Sequence, residues 1–80
     1  MLTYSVHAQL TIRERGLAEE WVRRTLPDPD RSEPDPAAPT LTRSFKRIPE
    51  AGDRVIRVVH RDRGVDILVV TAFLDRGAKL

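Results

Sequence analysis

Apolar and polar residues alternate over the first twelve positions, with Leu2, Tyr4, Val6, Ala8, Leu10 and Ile12 on the apolar phase. A period of two is the signature of a strand. The same stretch carries helix punctuation. Ser5 is a plausible N-cap, and Arg13-Glu14-Arg15-Gly16 reads as a basic last turn followed by a glycine stop. On pattern alone both readings stand. The next segment reads more simply: Leu17, Trp21, Val22, Thr25 and Leu26 share one helical face. Glu19 with Arg23 and Glu20 with Arg24 form favourable i,i+4 pairs, and Pro27 ends the helix.

Residues 27–39 hold five of the six prolines. Proline cannot donate to a sheet ladder, so this stretch reads as a mobile, partly extended connection between an N-terminal and a C-terminal half. The C-terminal half is β in pattern. Leu41 to Ile48 places Leu41, Arg43, Phe45 and Arg47 on one face. Arg54 to Arg61 places Ile56, Val58 and His60 on one face and Val55, Arg57 and Val59 on the other. Val65 to Phe73 is rich in β-branched residues. Turns are expected at 49–53 and at Arg61-Asp62-Arg63-Gly64, with Gly64 free to take positive φ. The expected architecture is a single α+β domain over residues 1–80. Two N-terminal helices pack on one face of a three-stranded antiparallel sheet.

Eighty residues make one domain, and a chain of that length hides only about 60% of its unfolded surface. The absence of cysteine excludes disulfides and thiolate metal sites. Two histidines without close ligand partners point to no metal and no cofactor. The longest apolar run, Ile67 to Val70, is too short to cross a bilayer, and no signal-peptide pattern opens the chain. A soluble, cytoplasmic protein is expected, with no membrane partner. The net charge is only +2, but it is unevenly spread. Residues 28–35 carry four acidic groups against one basic, and residues 43–63 carry seven basic against three acidic. Twelve of the fourteen cations are arginine, whose planar fork matches phosphate. The excess fits an anionic partner such as nucleic acid or an acidic protein segment. It fits a solvated sheet face equally well.

Several short motifs occur in order: His7-Ala8, Arg15-Gly16-Leu17, Leu26-Pro27-Asp28-Pro29, Arg57-Val58-Val59 and Val69-Val70-Thr71-Ala72-Phe73. In that order and spacing the chain resembles the small bacterial DUF4258 family, which is grouped with the RelE/ParE-like toxins and related metal-independent ribonucleases. The resemblance implies that residues 6–15 are helix and that Leu2 to Tyr4 add a short edge strand to a RelE-like fold. It also implies a toxin-type or degenerate ribonuclease, with RNA or the ribosome as target and a cognate antitoxin as partner. Two positions depart from the family pattern. Thr11 stands where an arginine is common, and Ala18 stands where a capping Ser or Thr is common.

RNA cleavage without metal needs proton transfer at the 2′-hydroxyl and the leaving 5′-oxygen, and it needs stabilisation of the charged phosphorane. His7 is the candidate acid/base, set near a helix start; the competing role is packing or capping. Arg57 interrupts an apolar strand. It either faces an open anion-binding surface or pairs with Asp66 on the next strand. Arg43, Lys46 and Arg47 extend a phosphate strip with Phe45 available for base stacking, unless they are edge charges that block aggregation. Arg15 remains near helix 1 as a further phosphate contact. The resemblance gives Thr71 a phosphate-orienting role. His60 reads as a solvent-exposed turn residue, and Tyr4 as core. No nucleophile with an obvious base is visible, which leaves a serine triad unsupported. The alternative function is a non-catalytic protein-interaction or homodimerisation domain.

Overall fold

The opening alternation resolves into two elements in the computed structural model, which describes residues 1–80. Leu2–Tyr4 form strand β1 and Val6–Glu14 form helix α1. Ser5 is the switch between them. Its Oγ accepts from the Ala8 N–H at 3.0 Å and donates to the Val70 carbonyl at 3.0 Å. One hydroxyl thus satisfies an orphan donor of the first turn and pins the helix start to a strand. Within α1, Ala8 is buried and Ile12, one turn on, packs on the core, while Val6 and Leu10 stay exposed. The period-two pattern therefore belongs to a helix with half its apolar phase in solvent.

The C-terminal end of α1 closes as expected for Arg-Gly-Leu. The Leu17 N–H bonds Ile12 O at 3.0 Å and the Gly16 N–H bonds Arg13 O at 3.2 Å. This Schellman closure needs the φ of +64° that Gly16 supplies without strain. Helix α2, Glu19–Thr25, has no side-chain cap at Ala18. Glu19 and Glu20 at its start and Arg23 and Arg24 at its end complement the helix dipole instead. Val22 is fully buried, with Trp21 and Leu26 packed beside it.

Four more strands follow: β2 (Arg31–Pro34), β3 (Thr42–Ile48), β4 (Arg54–Arg63) and β5 (Asp66–Leu74). Their order is β1-β5-β4-β3-β2. β1 runs parallel to β5 and every other pair is antiparallel. The sheet is therefore five-stranded and mixed, larger than the three- or four-stranded antiparallel sheet expected from the pattern. The extra strand comes out of the proline-rich connection. Arg31, Ser32 and Glu33 carry no proline, and Pro34 closes a strand at the sheet edge, where a missing donor is tolerated.

One face of the sheet holds the core. Ile48, Ile56, Val58, Val69 and Ala72 meet Ala8, Leu17 and Val22 from the helices. Fully burying a side chain such as Ile56 contributes about 1.5–3 kcal/mol. On the opposite face, register sets Arg57 between Phe45 and Phe73. The guanidinium of Arg31 lies 4.3 Å from the Phe45 ring centre, and that of Arg57 lies 5.5 Å from Phe45 and 4.9 Å from Phe73. The C-terminal segment crosses this face. The Asp75 N–H bonds Val55 O at 2.8 Å, and Arg31 Nη1 donates to Lys79 O at 2.8 Å. Phe45 is left only 2% exposed.

The β4–β5 turn also differs from expectation. β4 continues to Arg63, and the turn is the pair Gly64-Val65, with Gly64 at φ +58°. That shift of two residues carries His60 out of the turn and into the sheet. No helix is long and apolar enough to cross a membrane.

Candidate nucleic-acid interface

The residues singled out in the sequence fall into separate places. His7 is exposed on α1, its Nε2 lying 3.4 Å from Thr11 Oγ1 and its carbonyl accepting from the same hydroxyl at 2.8 Å. Thr11 thus closes locally on His7 and offers no cation. Arg57 and Thr71 lie on the sheet face away from the helices, since they pair with Phe73 and Val59 on that face. No hydrogen bond joins the three, so the structure does not bring the expected catalytic set together.

Arg57 is ion-paired with Asp75, not with Asp66. Asp66 instead holds the N-terminal amine at 3.0 Å. Burial alone would raise the Asp75 carboxyl, but hydrogen bonds from Arg57 and from the Gly77 and Ala78 N–H groups reverse this and hold it below the usual carboxylate range. Arg57 is therefore neutralised in place. Lys46 is turned to the helix face of β3, where it donates to Asp28 O at 2.8 Å and lies 3.6 Å and 3.7 Å from the Asp28 and Asp30 carboxylates. Arg43 is bound to Asp35 at 3.1 Å. These three cations answer the acidic stretch and the C-terminal segment, and the burial of Phe45 removes it as a stacking platform. Arg47 stays exposed; its guanidinium donates to the Asp53 carbonyl at 3.4 Å and its backbone N–H to Asp30 Oδ2 at 2.9 Å.

A different set converges at one end of the sheet, where three turns meet. The Schellman closure of α1 presents Arg15 and Leu17. The Pro49–Ala51 turn, ending with Gly52 and Asp53 both at positive φ, delivers Arg54 at the start of β4. After β5, the Asp75 carboxylate accepts the Gly77 N–H at 2.9 Å and shapes the turn that carries Arg76. Arg15, Arg54 and Arg76 line a cleft of about 320 Å³ floored by Leu17 and Leu74. None of the three is ion-paired. Arg54 Nε is held by Ala51 O at 2.8 Å, and Arg15 lies 5.7 Å from the Phe73 ring centre. Two of the three guanidinium groups are thus oriented by neutral partners that leave the positive charge available. An adjoining cleft of about 470 Å³ shares Arg54 and Arg76 and adds Arg47 and Lys79, together with the carboxylates of Asp53 and Asp75.

Of this set Arg15 and Arg47 are expected from the sequence, and Arg54 and Arg76 are not. Their available signal was position: Arg54 follows the Gly52-Asp53 turn, and Arg76 lies in the turn that follows β5. A second cluster is also not expected from the sequence. Expected at an exposed turn, His60 is instead 4% exposed and hydrogen-bonded to both Ser44 and Asp62. Comparison with family models, with curated proteins and with solved structures finds no match for this chain.

Proposed function

We propose that this chain is a RelE-like domain that binds single-stranded RNA through its phosphates, with the cleaving step lost. The observation that carries the reading is the cleft of Arg15, Arg54 and Arg76, three cations converging with no carboxylate between them. Guanidinium forks pair with phosphate oxygens bidentately, and Arg47 and Lys79 stand in the adjoining cleft, where Asp75 is already paired with Arg57. The order of elements, with two helices on one face of the sheet and β1 parallel to the last strand, is compatible with the resemblance. Loss of cleavage follows from His7. It sits on the helix layer, bonded only within its own turn, and the cleft residues contain no group that titrates near neutral pH.

The test is a titration of a labelled single-stranded RNA of about ten nucleotides, read by fluorescence anisotropy, with the same mixtures run on a denaturing gel. The expected result is salt-sensitive binding, an intact RNA band, and an unchanged outcome for His7→Ala. Failure to bind at low salt would overturn the binding claim. RNA fragments that disappear in His7→Ala would overturn the claim that cleavage is lost.

A further inference from the structure

Ser32 and Ser44 face each other across the β2–β3 pair, with their hydroxyl oxygens 3.2 Å apart. Ser44 Oγ lies 2.7 Å from His60 Nε2, and His60 Nδ1 lies 2.7 Å from Asp62 Oδ1. Strand alternation places His60 and Asp62 on one face, and register brings Ser44 beside them. The donors in this chain run one way. An ionised carboxylate only accepts, so Nδ1 carries the proton and donates to Asp62. In the neutral imidazole Nε2 is then an acceptor, and Ser44 must donate to it. The free lone pair of Ser44 receives the hydroxyl of Ser32. The result is the order nucleophile, base, orienter that activates a serine, with one hydroxyl inserted. Ser44 is 2% exposed and closed to substrate, whereas Ser32 lies exposed on the edge strand.

We infer that Ser32 is an activated nucleophile that takes the acyl group of a small activated ester. Ser32 Oγ attacks the carbonyl carbon while its proton passes to Ser44 Oγ and the proton of Ser44 passes to His60 Nε2. The imidazolium is held by Asp62. Collapse of the tetrahedral adduct breaks the bond to the leaving oxygen, which departs as the anion of an acidic alcohol while the proton stays on the imidazole. Hydroxide from solvent then attacks the exposed acyl ester, the acid is released, and Ser32 Oγ departs and retrieves its proton from His60 through Ser44. With no proton available to the departing oxygen, only esters with acidic leaving groups react. The site shares no residue with the arginine cleft, so the two readings stand or fall separately.

The test uses the whole protein with a fluorophosphonate probe, followed by intact mass and peptide mapping, and with p-nitrophenyl acetate for turnover. A positioned base contributes roughly 10²–10⁴-fold; through one relay hydroxyl, at least about tenfold of this is expected to survive. Folded protein should carry a single adduct on Ser32, formed at least tenfold faster than in urea, and Ser32→Ala should abolish it. Ser44→Ala, His60→Gln and Asp62→Asn should each slow it at least tenfold. Asp62 is more than half exposed, so Asp62→Asn keeps the fold. No adduct on Ser32, or wild-type labelling rates in folded Asp62→Asn, overturns the inference whatever the buried variants do.

Discussion

Replacing Ser44 by alanine tests the buried network directly. The substitution removes one small hydroxyl and strands His60 Nε2, whose only partner within hydrogen-bond reach is Ser44 Oγ at 2.7 Å. At 4% exposure, water does not reach the imidazole to compensate. A buried polar group left without its partner costs about 1–3 kcal/mol. For a domain of this size each kcal/mol lowers Tm by roughly 4–8 °C, so the expected fall is about 4–24 °C by circular dichroism, with a matching drop in the urea midpoint. Ser32→Ala removes the exposed end of the same chain and should shift Tm by no more than about 4 °C, because water replaces the lost contact. In Ser44→Ala/His60→Leu no orphan remains, so the combined loss should be smaller than the sum of the single losses by about 1 kcal/mol or more. A Tm for Ser44→Ala within about 2 °C of wild type would refute the reasoning.

Other expectations follow from the same geometry. Phe45→Ala, which empties a site lined by Arg31 and Arg57, should cost about 3–5 kcal/mol and be seen as early urea unfolding. Ser5→Ala removes the cap of α1 and its tie to β5, and should cost about 1–2 kcal/mol, measured the same way. Glu50 is held down to about 2, first by its hydrogen bond from Arg24 and then by the backbone. A carboxyl lowered on folding contributes stability above its unfolded value near 4.5 and loses it as pH falls toward about 2. Arg24→Gln should therefore flatten the acid arm of the stability–pH curve across that window, as followed by thermal melts.

Local chemistry made much of the fold legible. The Ser5 cap, the Arg15-Gly16-Leu17 closure and the Glu19/Arg23 and Glu20/Arg24 pairs all act within one or two turns, and the structure keeps each of them. The faces of β4 were likewise readable, because alternation alone separates Ile56 and Val58 from Arg57. What the sequence hid were pairings across distance. Arg31 to Glu33 became a strand only because β3 offered an unpaired edge. Arg57 chose Asp75 over Asp66 because the C-terminal segment folds back across the sheet. His60 looked like a turn residue because Gly64, not Arg61, sets the start of the turn. Its partner Ser44 lies sixteen positions away. Of the arginine cleft only Arg15 was visible, for the same reason: Arg15, Arg54 and Arg76 belong to three different turns, and the packing of α1 against β5 brings them together.

The central claim is that the Arg15, Arg54 and Arg76 cleft holds RNA phosphates, and the salt dependence of binding measures it most directly. Each phosphate neutralised on single-stranded nucleic acid adds about 0.7 to the slope of log K against log salt. The triple variant Arg15→Gln/Arg54→Gln/Arg76→Gln keeps side-chain length and removes three charges. Its slope is expected to be shallower than that of the wild type by about 2, with weaker affinity for every RNA sequence tried. Wild-type affinity and an unchanged slope in a folded triple variant would contradict the account.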